Sequence, residues 1–267
     1  MSFSKRVEDA RKAFGKKDLQ AARAAHDPAK IRRAAEHHGG TGSQYLGEMV
    51  YGGLDGIITT FAVVSGVAGA QLGANIILIL GAANLFADGF SMAVGSYLST
   101  KSEQEYYQRE KERESWEVDH FPEGERAELV EMYRSQGYSD EDAATLVTIK
   151  SKNRKRWIQA MMIEELEMLE DTSNPYYNAL VTLVAFVIAG SVPLLIYVIG
   201  LFAPVPAGAG FPTSLVLSGL ALFGLGAAKV LVTQHNPWRS GLEMMLVGGL
   251  AAGVAYLVGM LLKGIGM

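Results

Sequence analysis

The sequence predicts an all-α fold: a polytopic membrane protein with five transmembrane helices and a three-helix insert on its cytoplasmic side. Three observations predict it. Charged residues are concentrated in two blocks, about 1–49 and 101–175, and the rest of the chain is almost purely apolar with many small residues. Five stretches of that remainder, about 51–70, 75–98, 177–201, 213–233 and 241–262, reach the ~20 residues needed to cross a hydrocarbon core ~30 Å thick. Lys and Arg are placed asymmetrically: ten precede the first stretch, eleven lie between the second and third and two near the fourth-to-fifth link, while the links 71–74 and 202–212 have none. Cytoplasmic loops carry the excess of Lys and Arg, so the N-terminus and the insert are expected inside and the C-terminus outside, with Lys263 as the exception.

Residues 1–45 read as a cytoplasmic helical region, in which basic, acidic and alanine positions alternate over Val7 to Lys17 and Leu19 to His38 before Gly39 and Gly40. His37 and His38 read as part of a solvated linker. Residues 46–100 hold the first two spans, joined by the short Gln71 to Ala74 link into a helical hairpin. Gly52 and Gly56, Gly69 and Gly73, and Gly249 and Gly253 are GxxxG steps, a spacing that lets helix backbones approach within one chain or between two.

The insert, 101–175, reads as three helices. The first runs from about Lys101 to Asp119 and is stopped by Pro122 and Gly124; the second runs from about Glu123 to Gly137. The third opens at Ser139, an N-cap followed by Asp140, Glu141 and Asp142, which suit the positive end of a helix dipole. It is expected to continue, with room for a kink, to about Asp171, before Asn174 and Pro175. Residues 176–267 hold the last three spans.

Composition removes several chemistries. There is no cysteine, so disulfides, zinc-thiolate sites and thiol catalysis are excluded, and any metal must be held by O, N or thioether ligands. The net charge of −4 conceals an acidic patch, because 101–175 holds 19 of the 28 acidic residues against 11 of the 24 Lys and Arg. No apolar segment precedes residue 45, so no cleavable signal peptide is expected, and a prokaryotic inner membrane is favoured over a vacuolar one. Neither a nucleic-acid partner nor an organic cofactor is expected.

Charge inside a span is the sharper signal, since a central Asp costs about 2.5–3.5 kcal/mol even on the gentler insertion scales. Asp55 lies about one turn into the first span and Asp88 lies mid-span in the second, with Asn84 four residues before it and Met92 four after. That stripe offers amide, carboxylate and thioether on one helix face, which is what a cation path needs; hydrogen-bonded glue between helices is the plainer reading. Glu243 is expected at the membrane interface.

In the insert, Glu114 and Glu117 share a helix face, and so do Glu125 and Glu128 on the next helix. The turn at Pro122 and Gly124 folds one pair back on the other. Met161 and Glu165 are four apart further on, with Met162 and Glu164 adjacent. Carboxylates alone suit Ca²⁺, Mg²⁺ or Mn²⁺, and an added thioether favours softer ions such as Fe²⁺, with Mn²⁺, Zn²⁺ and Co²⁺ as alternatives. Glu103, Glu105, Glu110 and Glu112 read instead as a solvated face shared with Lys101, Arg109, Lys111 and Arg113. Glu117 to His120 is an ExxH, but a di-iron carboxylate centre needs two and the chain has one.

These residues resemble the vacuolar iron transporter family of Fe²⁺ and Mn²⁺ transporters over essentially 45–265. The resemblance rests on Tyr51-Gly52-Gly53-Leu54-Asp55-Gly56, on Phe90-Ser91-Met92-Ala93-Val94-Gly95-Ser96-Tyr97 and on Met161-Met162-Ile163-Glu164-Glu165-Leu166. It implies a five-span homodimer with a cytoplasmic metal-binding domain, exporting metal from the cytosol by proton antiport. It also implies Asp55 and Met92 as membrane ligands, and Glu114, Glu117, Glu125, Glu128, Met161 and Glu165 as ligands of the cytoplasmic domain. This chain has Asn84 and Ser96 where many members carry carboxylates, with Asp88 the candidate substitute. A membrane-bound metal sensor or store, or a ferroxidase, is the alternative reading.

Overall fold

A computed structural model describes residues 5–28, 45–228 and 236–263. All regular structure among them is helical, and five helices are long and apolar enough to cross a membrane. The chain divides into two compact units, one of residues 1–96 and 176–267, the other of Tyr97–Pro175.

The first unit opens with α1 (Lys5–Lys16) and α2 (Leu19–Ala25). The chain breaks between them at Lys17, whose φ is 54°, and Asp18 caps α2 by accepting from the backbone N–H groups of Gln20 and Ala21, each at 3.0 Å. The histidine pair and the glycines after it lie outside the described residues. Helix α3 (Leu46–Gly69) is the first span and α4 (Ala74–His120) begins as the second.

Glycine decides how α3 packs. A Cβ at Gly52 would stand 2.6 Å from the carbonyl oxygen of Thr182, and one at Gly190 2.7 Å from that of Gly56, so only glycine permits this backbone approach. The Gly52 and Gly56 step thus serves packing within the chain, against α8 (Pro175–Ser191). At Gly249 and Gly253 a Cβ would meet nothing within 4 Å. A core of Phe61, Val64, Leu194, Tyr197 and Ala252 joins α3 to the later spans.

The third span differs from one straight helix. After α8 a 3₁₀ turn at Val192–Leu194 leads into α9 (Leu195–Ile199). Pro193 has no N–H to continue the helix, and its carbonyl accepts from the buried Ser214 hydroxyl at 2.6 Å. The fourth span, α10, is described over Gly210–Ala228, and the fifth, α11, runs Pro237–Leu262. Asn236 caps α11 by accepting from the Trp238 N–H at 2.9 Å, with Pro237 at the first helical position, where its missing donor costs nothing.

The second unit corrects the three-helix expectation in two places. Its first helix is no separate element but the C-terminal part of α4, which runs unbroken to His120. After Phe121, α5 (Pro122–Ser135) begins on a proline, and α6 (Asp140–Ser151) starts from the Ser139 cap, whose Oγ accepts from the Asp142 N–H at 3.2 Å. The helix expected to reach Asp171 is divided. Asn153 leaves helical geometry (φ −126°, ψ 112°) and caps α7 (Arg154–Ala160), which passes into a π turn at Met161–Glu165. Residues 166–174 are not helical, and the Gln104 amide ties them down by donating to the carbonyls of Asp171 (3.1 Å) and Ser173 (2.6 Å). Val118, Leu129, Tyr133, Val147, Trp157, Met161 and Met162 form this unit's hydrophobic core.

Candidate functional site

The second unit brings carboxylates from successive helices together. Glu114 and Glu117 come from α4 and Glu125 from the first turn of α5, and one oxygen from each lies within 4.8 Å of the others. Glu114 and Glu125 are buried, at 1% and 4% exposed, and Glu117 is half-buried. The single residue between the two helices, Phe121, is what lets Pro122 restart the chain so that the two acidic faces meet.

Such a cluster is electrostatically costly, because burial disfavours the charged form and like charges add to that. Glu125 is pushed up to about 7, first by burial and then by the charges of Glu114, Glu128, Glu117 and Glu165. Glu165 is likewise pushed up to about 7, by burial and by Glu128 and Glu114. Glu114 is raised by burial, against the pull of Arg113. The Arg113 guanidinium reaches Glu114 at 2.6 Å, Glu117 at 2.5 Å and Glu110 at 3.0 Å, so it neutralises one edge. Even so, Oε2 of Glu114, Glu125 and Glu165 is buried with no donor N–H or O–H outside the carboxyls themselves. Buried acceptors facing one another without donors fit a divalent cation, which supplies the missing positive charge to several oxygens at once.

The structure therefore brings Glu114, Glu117 and Glu125 together, with Glu128 and Glu165 in electrostatic reach. Glu128 is solvent-exposed and Met161 is fully buried in the core of this unit. Glu164 turns elsewhere, accepting from Lys150 and from the Tyr133 hydroxyl, and Met162 packs in the core. His120 of the lone ExxH is exposed, its Nδ1 2.7 Å from the Trp116 carbonyl and its ring stacked on Trp116 at 4.5 Å.

In the first unit Asp55, Asn84, Asp88 and Met92 are all half-buried. Asp55 and Asp88 lie close enough for their charges to interact, and Asn84 Nδ2 is buried without an acceptor. Sequence reasoning missed Glu48. Its Oε2 accepts from the Ser96 hydroxyl at 3.0 Å and from the Thr182 hydroxyl at 2.7 Å, so a carboxylate stands beside Ser96 after all. The available signal was spacing: Glu48 and Asp55 are seven apart, two turns along one face of α3. Glu243 lies in α11, within two turns of its start.

The chain is similar to known proteins over most of its length. A family model described as VIT family matches residues 46–260. A vacuolar iron transporter of Toxoplasma gondii (strain ATCC 50861 / VEG) is 40% identical across 96% of this chain and 88% of its own. One of Plasmodium falciparum (isolate 3D7) is 32% identical across 97% of each chain. Vacuolar iron transporter 1 of Arabidopsis thaliana is 32% identical across 81% of this chain and 85% of its own. The first two alignments are too extensive to leave out the charged N-terminal region, which the family model does not include.

Proposed function

The chain belongs to the VIT family, whose compared members are named vacuolar iron transporters, and on that premise we propose that it is a multi-pass membrane transporter, not an enzyme, that moves Fe²⁺ out of the cytosol. The observation that carries this reading is the carboxylate cluster of Glu114, Glu117 and Glu125 with Glu165 beside it, in which Oε2 of Glu114, Glu125 and Glu165 is buried without a donor. A permanently metal-free site of that kind would only cost folding energy, whereas a site that loads cations gains from it.

In this reading Tyr97–Pro175 lies in the cytosol, captures the ion through Glu114, Glu117, Glu125, Glu128, Glu165 and the Met161 thioether, and hands it to Asp55 and Met92. Asp88, Asn84 and Glu48 line the membrane path. Protons drive the cycle: carboxylates bind metal only when ionised, so an inward proton displaces an outward-bound ion. Mn²⁺ is the second cargo, its preference for carboxylate matching this donor set. The protein works as a homodimer paired through the first hairpin, whose second helix leaves Phe86 and Phe90 each 67% exposed. The relatives lend no support to a prokaryotic inner membrane; cytosol on the side of the acidic unit is all the mechanism requires.

The test is flux in proteoliposomes holding an Fe²⁺-quenched fluorophore under an imposed pH gradient. Quenching that follows the gradient and disappears in Asp55→Ala is expected. Undiminished flux in a folded Asp55→Ala would remove that residue from the path. Metal binding without flux in the wild type would make the protein a sensor or store.

A further inference from the structure

The Met161–Glu165 segment is a π turn, closed by the Leu166 N–H donating to the Met161 carbonyl at 3.0 Å. The Met168 N–H then donates to the Met162 carbonyl at 2.8 Å, and Glu167 between them takes a left-handed φ of 53° without being glycine. Single π turns are rare, and a left-handed non-glycine residue persists only where its surroundings enforce it. Something must hold this segment.

Within the turn, Glu164 has both oxygens engaged by other helices. Oε1 accepts from Lys150 in the last turn of α6, and Oε2 from the Tyr133 hydroxyl in α5. The Lys150 ammonium also stands 5.2 Å from the Tyr133 ring centroid, and that ring is 3% exposed and meets Tyr138 edge-on at 5.7 Å. In an α-helix Met161, Glu164 and Glu165 would share one face. Here the two adjacent glutamates take different partners: Glu164 accepts from Lys150 and Tyr133, while Glu165 keeps a donor-free oxygen beside Glu128 and Glu114.

We propose that Glu164, Lys150 and Tyr133 form a strut that locks the π turn so that Met161 and Glu165 are presented to the metal cluster. Lys150 and Tyr133 are then positioning residues, touching no metal yet setting its affinity and coordination. This rests on the metal-loading role proposed for the cluster.

The test uses the full chain in detergent and Co²⁺ as the probe, reading affinity by titration and coordination from the visible ligand-field bands. Removing the outer partners of metal ligands typically weakens binding ~10–100-fold; Lys150 acts one residue further out, through Glu164, so Lys150→Met is expected to weaken Co²⁺ binding by about tenfold, the lower end of that range, and to alter the bands. Lys150→Arg should restore most of both. Tyr133→Phe, which keeps the ring and the ion pair, should show a smaller loss in the same direction, and it decides the matter if Lys150→Met does not fold. Tighter binding in Lys150→Met would overturn the proposal, because it would mean that the ammonium competes with metal for Glu164 as a direct ligand. Unchanged affinity and bands in folded variants, even with lowered thermal stability, would overturn it too. Failure of the underlying reading looks different: wild type would bind no Co²⁺, or Glu125→Gln would bind it as wild type does.

Discussion

Replacing Glu125 with glutamine should make the metal-free protein more stable and the metal-loaded protein less so. Glu125 is 4% exposed and its pKa rises from 4.5 to about 7, a gap equivalent to roughly 3 kcal/mol. Neighbouring carboxyls share that titration and solvent screens part of it, so about 1–2 kcal/mol is the working figure. The sign follows from proton binding. Between pH 4.5 and about 7 the folded chain holds a proton that the unfolded chain has released, so metal-free stability declines as pH rises through that window and the loss is complete above it. Glutamine keeps a donor toward Glu114 and never ionises. At about pH 8 without metal, Glu125→Gln should therefore unfold at a higher temperature than wild type, at about 4–8 °C per kcal/mol for a domain of this size. At pH 4.5 the two should coincide. Trp116 and Trp157 lie in the acidic unit and report its unfolding by fluorescence. Metal at about a hundred times its Kd should add about 2.7 kcal/mol to wild type and little to the variant. A variant that is less stable at that alkaline pH without metal, or that keeps the full metal-induced gain, would show Glu125 to be an ordinary structural carboxylate.

Three further outcomes follow from the same geometry. Metal affinity of wild type should fall as pH drops through about 7, where Glu125 and Glu165 take up protons; titration at about pH 6 and about pH 8 checks this, and a flat profile would refute it. Gly56→Leu should abolish the folded monodisperse protein on detergent gel filtration, since Gly56 and Gly190 bring the α3 and α8 backbones into contact and overpacking costs at least about 1–3 kcal/mol, whereas Gly253→Leu, at an open site, should be tolerated. Glu48→Gln should retain folding, because its hydroxyl partners can still donate, but slow flux if Glu48 lies on the ion path; unchanged flux would confine it to packing.

The five spans were legible because an apolar run of that length has few alternatives. The unbroken α4 was not, for a physical reason: near Leu98 to Lys101 the sequence passes from apolar to charged without changing backbone preference, and nothing in Leu98-Ser99-Thr100-Lys101 stops a helix. The glutamate pairs around Phe121 were legible from helix spacing, since three-residue steps share a face in any α-helix. Glu164 was not. Its fate depends on a π turn and on Lys150 and Tyr133, partners brought from 14 and 31 residues away that no local periodicity encodes. Glu48 was missed because a charge at a span's first turn normally reads as interfacial; its neighbours Ser96 and Thr182 come from two other helices.

Met161 is where packing and chemistry make opposite claims on one side chain. It is fully buried in the core with Leu129, Tyr133 and Trp157, which alone would account for it, and it is also the thioether of the proposed cluster. Met161→Leu separates the two, because leucine conserves volume and apolarity and such swaps usually cost under about 1.5 kcal/mol, while the sulfur is lost. If Met161 only packs, stability and the ratio of Co²⁺ to Mn²⁺ affinity should both match wild type. If the sulfur coordinates, stability should be nearly unchanged while that ratio falls, since the harder, all-oxygen set left behind favours Mn²⁺ relative to softer ions. We expect the second result, by competition titration. A ratio equal to wild type in a folded Met161→Leu would remove the thioether from the site and leave its selectivity to the carboxylates alone.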